Sequence, residues 1–182
     1  SGTARYSELE RALTNICIQF EGNAAVTPKA EASGRERAAQ FLRDMRHFAG
    51  LIVERGRDAF GFLHLTFQEY FVGRALARLE PEQRWTILQP VLHDPRWRES
   101  ILLCAGQLGV LEQRRDVVTD LTRRILEANS LHEQLLQRDL FLAAAIVQEN
   151  VGVGQEVFGS IGRRLQQLTT SGIPTLANNA WG

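Results

Sequence analysis

The chain has 182 residues, 44% hydrophobic and 23% charged, which is too apolar for a disordered polypeptide and long enough to bury one good core or two small domains. Its 21 basic and 21 acidic residues cancel, so no global field draws it to nucleic acid or to anionic lipid. The two isolated cysteines, Cys17 and Cys104, exclude a disulfide scaffold and read as reduced, buried thiols of a cytoplasmic protein.

Every basic residue except Lys29 is arginine, a skew that genome composition explains more simply than a need for bidentate ion pairs. The longest apolar runs, such as Ile101 to Ala105, fall far short of the ~20 residues that cross a bilayer, and no signal peptide is visible. Ser1-Gly2 reads as the remnant of a cleaved tag, so a piece of a longer protein is expected.

Leu9, Ala12, Leu13, Ile16 and Phe20 recur at three-and-four spacing and predict a helix over 6–20 with one buried face, capped by Ser7 with Glu10 three residues on. Glu21 to Ser33, with Gly22, Asn23 and Pro28, has no period and reads as a surface loop. From Gly34 a second helix runs to about Phe48, burying Ala38, Phe41, Leu42, Met45 and Phe48, and Gly50 stops it. The period then changes. Leu51-Ile52-Val53-Glu54 and Phe60 to Leu63 flank a Gly/Asp turn and predict a β-hairpin over about 51–64. Two helices and a hairpin outline a winged-helix module.

Thr66 and Glu69 form a capping-box pattern for the next helix, in which Phe67, Tyr70, Phe71, Leu76 and Leu79 share a face while Gly73 and Ala75 admit a close neighbour. Pro81 opens another helix with Trp85, Leu88, Val91 and Leu92 inward, until His93-Asp94-Pro95 breaks it. Pro95 begins the next, burying Trp97, Ile101, Leu102, Ala105 and Leu108 and ending at Gly109. Helices over 112–128, 131–149 and 154–169 follow, and Ile173-Pro174-Thr175 reads as frayed. Helices of this length joined by short turns stack as antiparallel pairs. The expected fold is mainly α: a winged-helix segment over 1–64, then over 65–182 an antiparallel helical bundle that begins a HEAT-like superhelical array.

The chemistry-bearing motifs are few. The chain has no GxxxxGK[ST] to cradle a triphosphate, no HExxH and no metal-ligand spacing among His47, His64, His93 and His132. It has no GxSxG elbow, and neither cysteine has an activating neighbour, so no catalytic or metal-binding residue is assigned. Arg114-Arg115, Arg123-Arg124 and Arg163-Arg164 share their helices with acidic residues and read as solvated faces rather than a nucleic-acid groove. Trp85 and Trp97 sit at core spacing.

What remains is Phe62-Leu63-His64-Leu65-Thr66-Phe67-Gln68-Glu69-Tyr70-Phe71, preceded by Gly50-Leu51-Ile52-Val53-Glu54 and followed by Arg74-Ala75-Leu76. This run resembles the end of the winged-helix domain in NACHT-family proteins, signal-transducing STAND NTPases that include bacterial NACHT proteins and animal NOD-like receptors. His93-Asp94-Pro95-Arg96-Trp97-Arg98-Glu99 and Gln137-Arg138-Asp139-Leu140-Phe141-Leu142-Ala143-Ala144 are similar to the helical region that follows in bacterial members. The resemblance covers roughly residues 36–150 and departs from the family at Val72-Gly73, where members often have Ala-Ala or Ala-Gly.

The resemblance implies a regulatory switch and arm, not an enzyme in itself. ADP or ATP with magnesium would bind the parent's own P-loop domain, self-association is possible in the parent, and neither membrane nor nucleic acid is expected as a partner. It also implies that His64 reaches the phosphates of ADP in the closed state. An imidazole before a helix N-terminus suits an anion on its own account. The alternative is that His64 only bonds a neighbouring backbone group or Glu69 and stabilises the junction. Two further classes stand beside this reading, a winged-helix DNA-binding regulator and a free-standing helical-repeat adaptor.

Overall fold

The computed structural model describes residues 3–20, 27–45 and 51–170. The chain is mainly helical, with a small three-stranded antiparallel sheet and a helical bundle. It forms two compact units, Ser1–Gln68 and Glu69–Gly182, whose boundary falls within a helix.

The first unit opens with β1 (Thr3–Arg5) and α1 (Tyr6–Phe20). Glu8, not Glu10, supports the helix start: its carboxylate accepts the Arg5 backbone N–H at 2.8 Å, and Ser7 lies inside the first turn. The buried face is rotated from the one expected. Thr14 and Ile18 are buried, while Ile16 is 45% exposed and Ala12 is exposed too. Thr14 can turn inward because its hydroxyl donates to the Glu10 carbonyl at 2.7 Å, so no polar group is stranded.

α2 (Pro28–Asp44) begins six residues before the expected Gly34. Pro28 sits at the helix start, where a missing N–H costs nothing, and the Thr27 hydroxyl accepts the Ala30 N–H at 3.2 Å. Ala30, Gly34, Ala38 and Leu42 form its buried stripe, and Phe41 is exposed rather than buried. Gly34 is the point of closest approach: an added Cβ would lie 2.9 Å from Ile18 Cγ1 and 3.1 Å from the Thr14 carbonyl oxygen on α1. The expectations for Glu21 to Val26, Phe48, His47 and Gly50, and for the Phe20 side chain, lie outside the described residues.

β2 (Ile52–Gly56) and β3 (Ala59–Phe62) form the expected hairpin, with Asp58 left-handed at φ 58° in its turn. Ile52 pairs with Phe62 and Glu54 with Phe60, and the register slips between Glu54 and Gly56. β1 pairs antiparallel with the other edge of β3, from Thr3 against Gly61 to Arg5 against Ala59, giving the order β1-β3-β2. Three residues carry too short a pattern to announce this strand.

α3 (Leu65–Arg78) carries the chain into the second unit. There α4 (Pro81–Leu88), α5 (Arg98–Gly106), α6 (Arg115–Leu126), α7 (Glu133–Leu136), α8 (Arg138–Gln148) and α9 (Gln155–Thr170) surround one core of residues such as Leu76, Leu88, Ile101, Ile125, Leu140 and Ile161. Three expectations change. Pro95 and Trp97 form a turn before α5, which starts at Arg98. Gly109 does not end a helix; it lies in a π-helical turn, Gln107–Leu111, that continues α5, where an added Cβ would collide with the Val151 carbonyl oxygen. The single helix over 131–149 is two, because Gln137 is left-handed at φ 50°, and Leu135 and Leu136 fall outside the core. The expectations for 171–182 lie outside the described residues.

Candidate functional site

Only two residues, Leu63 and His64, separate β3 from α3. The helix begins at Leu65, so His64 takes the N-cap position, its carbonyl accepting the Phe67 N–H at 3.2 Å, and Thr66 sits inside the first turn instead of capping it. The junction is held from the β2 side of the hairpin. Leu63 N–H donates to the Leu51 carbonyl at 2.8 Å, and the Arg55 guanidinium reaches across from β2 to donate to the carbonyls of Phe62 and Leu63, both at 2.9 Å. Sequence reasoning missed Arg55, since an arginine on a hairpin edge looks like any solvated charge.

The His64 ring is exposed and lies tilted on Phe67, with centroids 6.0 Å apart at 50°. Among the described residues no hydrogen bond ties the ring to Glu69 or to a backbone group. In the same run Leu63, Leu65, Phe67, Tyr70 and Phe71 are 38% to 62% exposed, so its apolar side chains are displayed. Gln68 turns the other way and lines a cleft of about 250 Å³ with Leu9, Phe60 and Phe62. A pinned main chain, an exposed imidazole and a helix N-terminus together suit an anion brought in from outside.

A second constellation joins the two stretches that resembled the bacterial helical region. His93 Nε2 lies 2.6 Å from Asp139 Oδ1 and 3.0 Å from Ser130 Oγ, the Ser130 N–H donates to Asp139 Oδ2 at 2.9 Å, and Arg138 donates to the His93 carbonyl at 2.8 Å. Ser, His and Asp in contact invite comparison with a hydrolytic triad, but serine and carboxylate share one ring nitrogen. A base must take the serine proton on one nitrogen while the carboxylate holds the other, so this is a structural knot. Asp139 is fully buried, and its carboxylate fastens the 130 loop to the 93 turn. Glu133 completes the knot by accepting the N–H groups of Asp139 at 2.8 Å and Leu140 at 3.2 Å, which caps α8. The one signal in the sequence was Asp139, a carboxylate set in the apolar run that begins α8.

Arg84 is the largest fully buried side chain, 2% exposed, and was not singled out from sequence. Its guanidinium donates to the carbonyls of Leu76 at 2.9 Å, Ala77 at 3.1 Å and Leu79 at 2.6 Å, which satisfies the C-terminal end of α3. Burial pushes its pKa below the ordinary guanidinium value. Burial likewise pushes the Cys104 thiol up to about 12, so it is no nucleophile. No group of three or more His, Cys, Asp or Glu side chains with metal-holding geometry occurs among the described residues. The sequence matches no family model and no curated protein, and the fold matches no solved structure.

Proposed function

We propose that this chain is the switch and arm region of a NACHT-type signal-transduction NTPase, coupling the nucleotide state of a P-loop domain to oligomerisation or to ligand sensing by downstream repeats. In this reading the sheet-bearing unit is the end of a winged-helix domain and the helices beyond it open a HEAT-like array. The nucleotide, ADP or ATP with magnesium, binds the parent's P-loop domain in the cytoplasm, and His64 donates an N–H to the ADP phosphates in the closed state.

One observation supports the reading: the His64 ring is exposed at the N-cap of α3 while the main chain just before it, at Phe62 and Leu63, is pinned by Arg55. A histidine that served only the junction would bond the junction. This one is held ready beside apolar residues that a docking domain would cover. A hydrogen bond to a charged group is worth about 1.5–3 kcal/mol, which biases a two-state equilibrium by roughly 10- to 150-fold.

In the longer protein that carries the P-loop domain, His64→Ala is expected to speed ADP release by that factor, measured with a fluorescent nucleotide in stopped flow. Unchanged release from a folded variant would remove His64 from the latch. The chain by itself is expected not to hydrolyse ATP; turnover near the ~1–100 s⁻¹ of phosphoryl-transfer enzymes would overturn the assignment altogether.

A further inference from the structure

The second unit contains a cleft of about 290 Å³ between the turn that carries His93 to Pro95, the start of α5 and the first turns of α8. Its apolar lining is made by Leu92 and Leu142, both buried, with the half-buried Phe141 and the exposed Pro95, and serves as its floor for an apolar side chain. Its rim carries Arg98 and Arg138. We propose that this cleft binds the carboxyl-terminal residue of a peptide that ends in a large apolar side chain, the side chain resting on the floor and the α-carboxylate on Arg138.

Charge selects this occupant. Asp94, the one carboxylate of the lining, is already held by Arg96, which donates through its backbone N–H at 3.0 Å and through its guanidinium at 2.6 Å to 3.1 Å. Arg98 lies 2.9 Å from Glu99. Arg138 gives one N–H to the His93 carbonyl and has no carboxylate within 4.0 Å among the described residues, so the rest of its exposed donor fork is open to an anion. The N–H groups at the start of α8 are not that anion's partners, since Glu133 occupies them.

Size and rigidity narrow the choice further. The volume sits at the bottom of the ~300–1,000 Å³ range of small-molecule sites, which suits one residue projecting from a longer chain better than a free ligand that must be enclosed on all sides. The walls need no rearrangement: the contact between His93 and Asp139 and the bond from Arg138 to the His93 carbonyl fix the turn against α8. A preformed site loses little affinity to ordering. This inference is independent of the nucleotide switch proposed for the chain, and its failure leaves that reading untouched.

The test titrates the full chain, labelled with ¹⁵N, with a short N-acetylated Gly-Ser peptide ending in leucine, as the free acid and as the C-terminal amide. The expected result is perturbation of the Phe141 and Leu142 amides and the Arg138 Nε–H, with the amide binding about tenfold more weakly. Arg138→Gln should abolish the difference between acid and amide, Arg138→Lys should restore part of it, and a peptide ending in glycine should bind more weakly than the leucine one. Equal binding of acid and amide, a difference that survives Arg138→Gln, equal binding of an amidated peptide with an internal glutamate, or no perturbation of the cleft would each overturn the proposal.

Discussion

Arg84 shows how one side chain can end a helix. The last carbonyls of α3 run out of helical N–H partners, with Leu76 accepting only the Leu79 N–H at 3.2 Å and Ala77 a long bond from Arg114 at 3.5 Å, and a buried guanidinium supplies three further N–H bonds at this end. Removing it takes three N–H donors away from the carbonyls of Leu76, Ala77 and Leu79. Arg84→Met is therefore expected to lower stability by about 2–4 kcal/mol in urea unfolding. Arg84→Lys should recover only part of that, because an ammonium keeps the charge and loses the planar fork. At the surface, Asp94 offers a cleaner electrostatic test. The Arg96 guanidinium, and then the Arg96 backbone N–H, hold its pKa down, from 3.8 to about 2. A carboxyl depressed in the folded state contributes stability above its unfolded pKa and loses it as pH falls through the folded one. The wild-type urea midpoint should therefore drop more steeply than that of Asp94→Asn between about pH 4 and pH 2, and parallel curves would show that the pair adds nothing.

The helices themselves test the meaning of glycine, and here the sequence and the structure divide. Gly73 in α3 lies against α5: an added Cβ would stand 2.8 Å from Leu103 Cβ and 3.0 Å from both Cys104 N and the Ser100 carbonyl oxygen. Glycine permits this close approach, although it costs a helix about 1 kcal/mol. Gly106 in α5 has open space within 4 Å and an ordinary helical φ of −60°. Gly73→Ala should destabilise by about 1–3 kcal/mol through overpacking, and Gly106→Ala should stabilise by up to about 1 kcal/mol. Opposite shifts in thermal unfolding confirm the assignment; shifts of the same sign refute it. The close neighbour at Gly73 was legible because a small residue on an apolar helix face has few other uses. The hairpin was legible from a change of period at Leu51 and a Gly/Asp turn. What escaped was long-range or built from exceptions to the pattern. A three-residue β1 has no period, and the break at Gln137 depends on a left-handed residue that is not glycine. The contacts of Arg84 with α3, and of His93 with Asp139, 46 residues away, pair polar groups that no periodicity relates. Within the candidate site His64 was legible from the motif, whereas Arg55 and the exposure of the aromatic run were not.

At the scale of the whole chain, the arginine pairs that might have formed a nucleic-acid face are largely engaged. Arg124 meets Asp120 and Glu82, Arg123 meets Asp120, Arg114 meets Glu112, and Arg164 donates to the Leu126 carbonyl. With zero net charge and an isoelectric point near 6.9, little like-charge repulsion keeps copies apart at neutral pH. Yet Leu65 is 62% exposed and Phe71 41%, along with Leu63, Phe67 and Tyr70 on the same short segment. Soluble monomers seldom display so many large apolar side chains together without a partner for them. If that segment is a docking face, copies of this chain that lack the partner should use it on one another. Sedimentation velocity at pH 7 should then show concentration-dependent self-association that the double change Leu65→Glu and Phe71→Glu suppresses, with the helical content unaltered. Charged changes at Leu131, just before α7, and Leu135, within it, 78% and 71% exposed, serve as the control, because they remove apolar surface elsewhere. If the control suppresses association equally, general stickiness explains it; if only the α3 changes do, the face around His64 is the one this chain is built to cover.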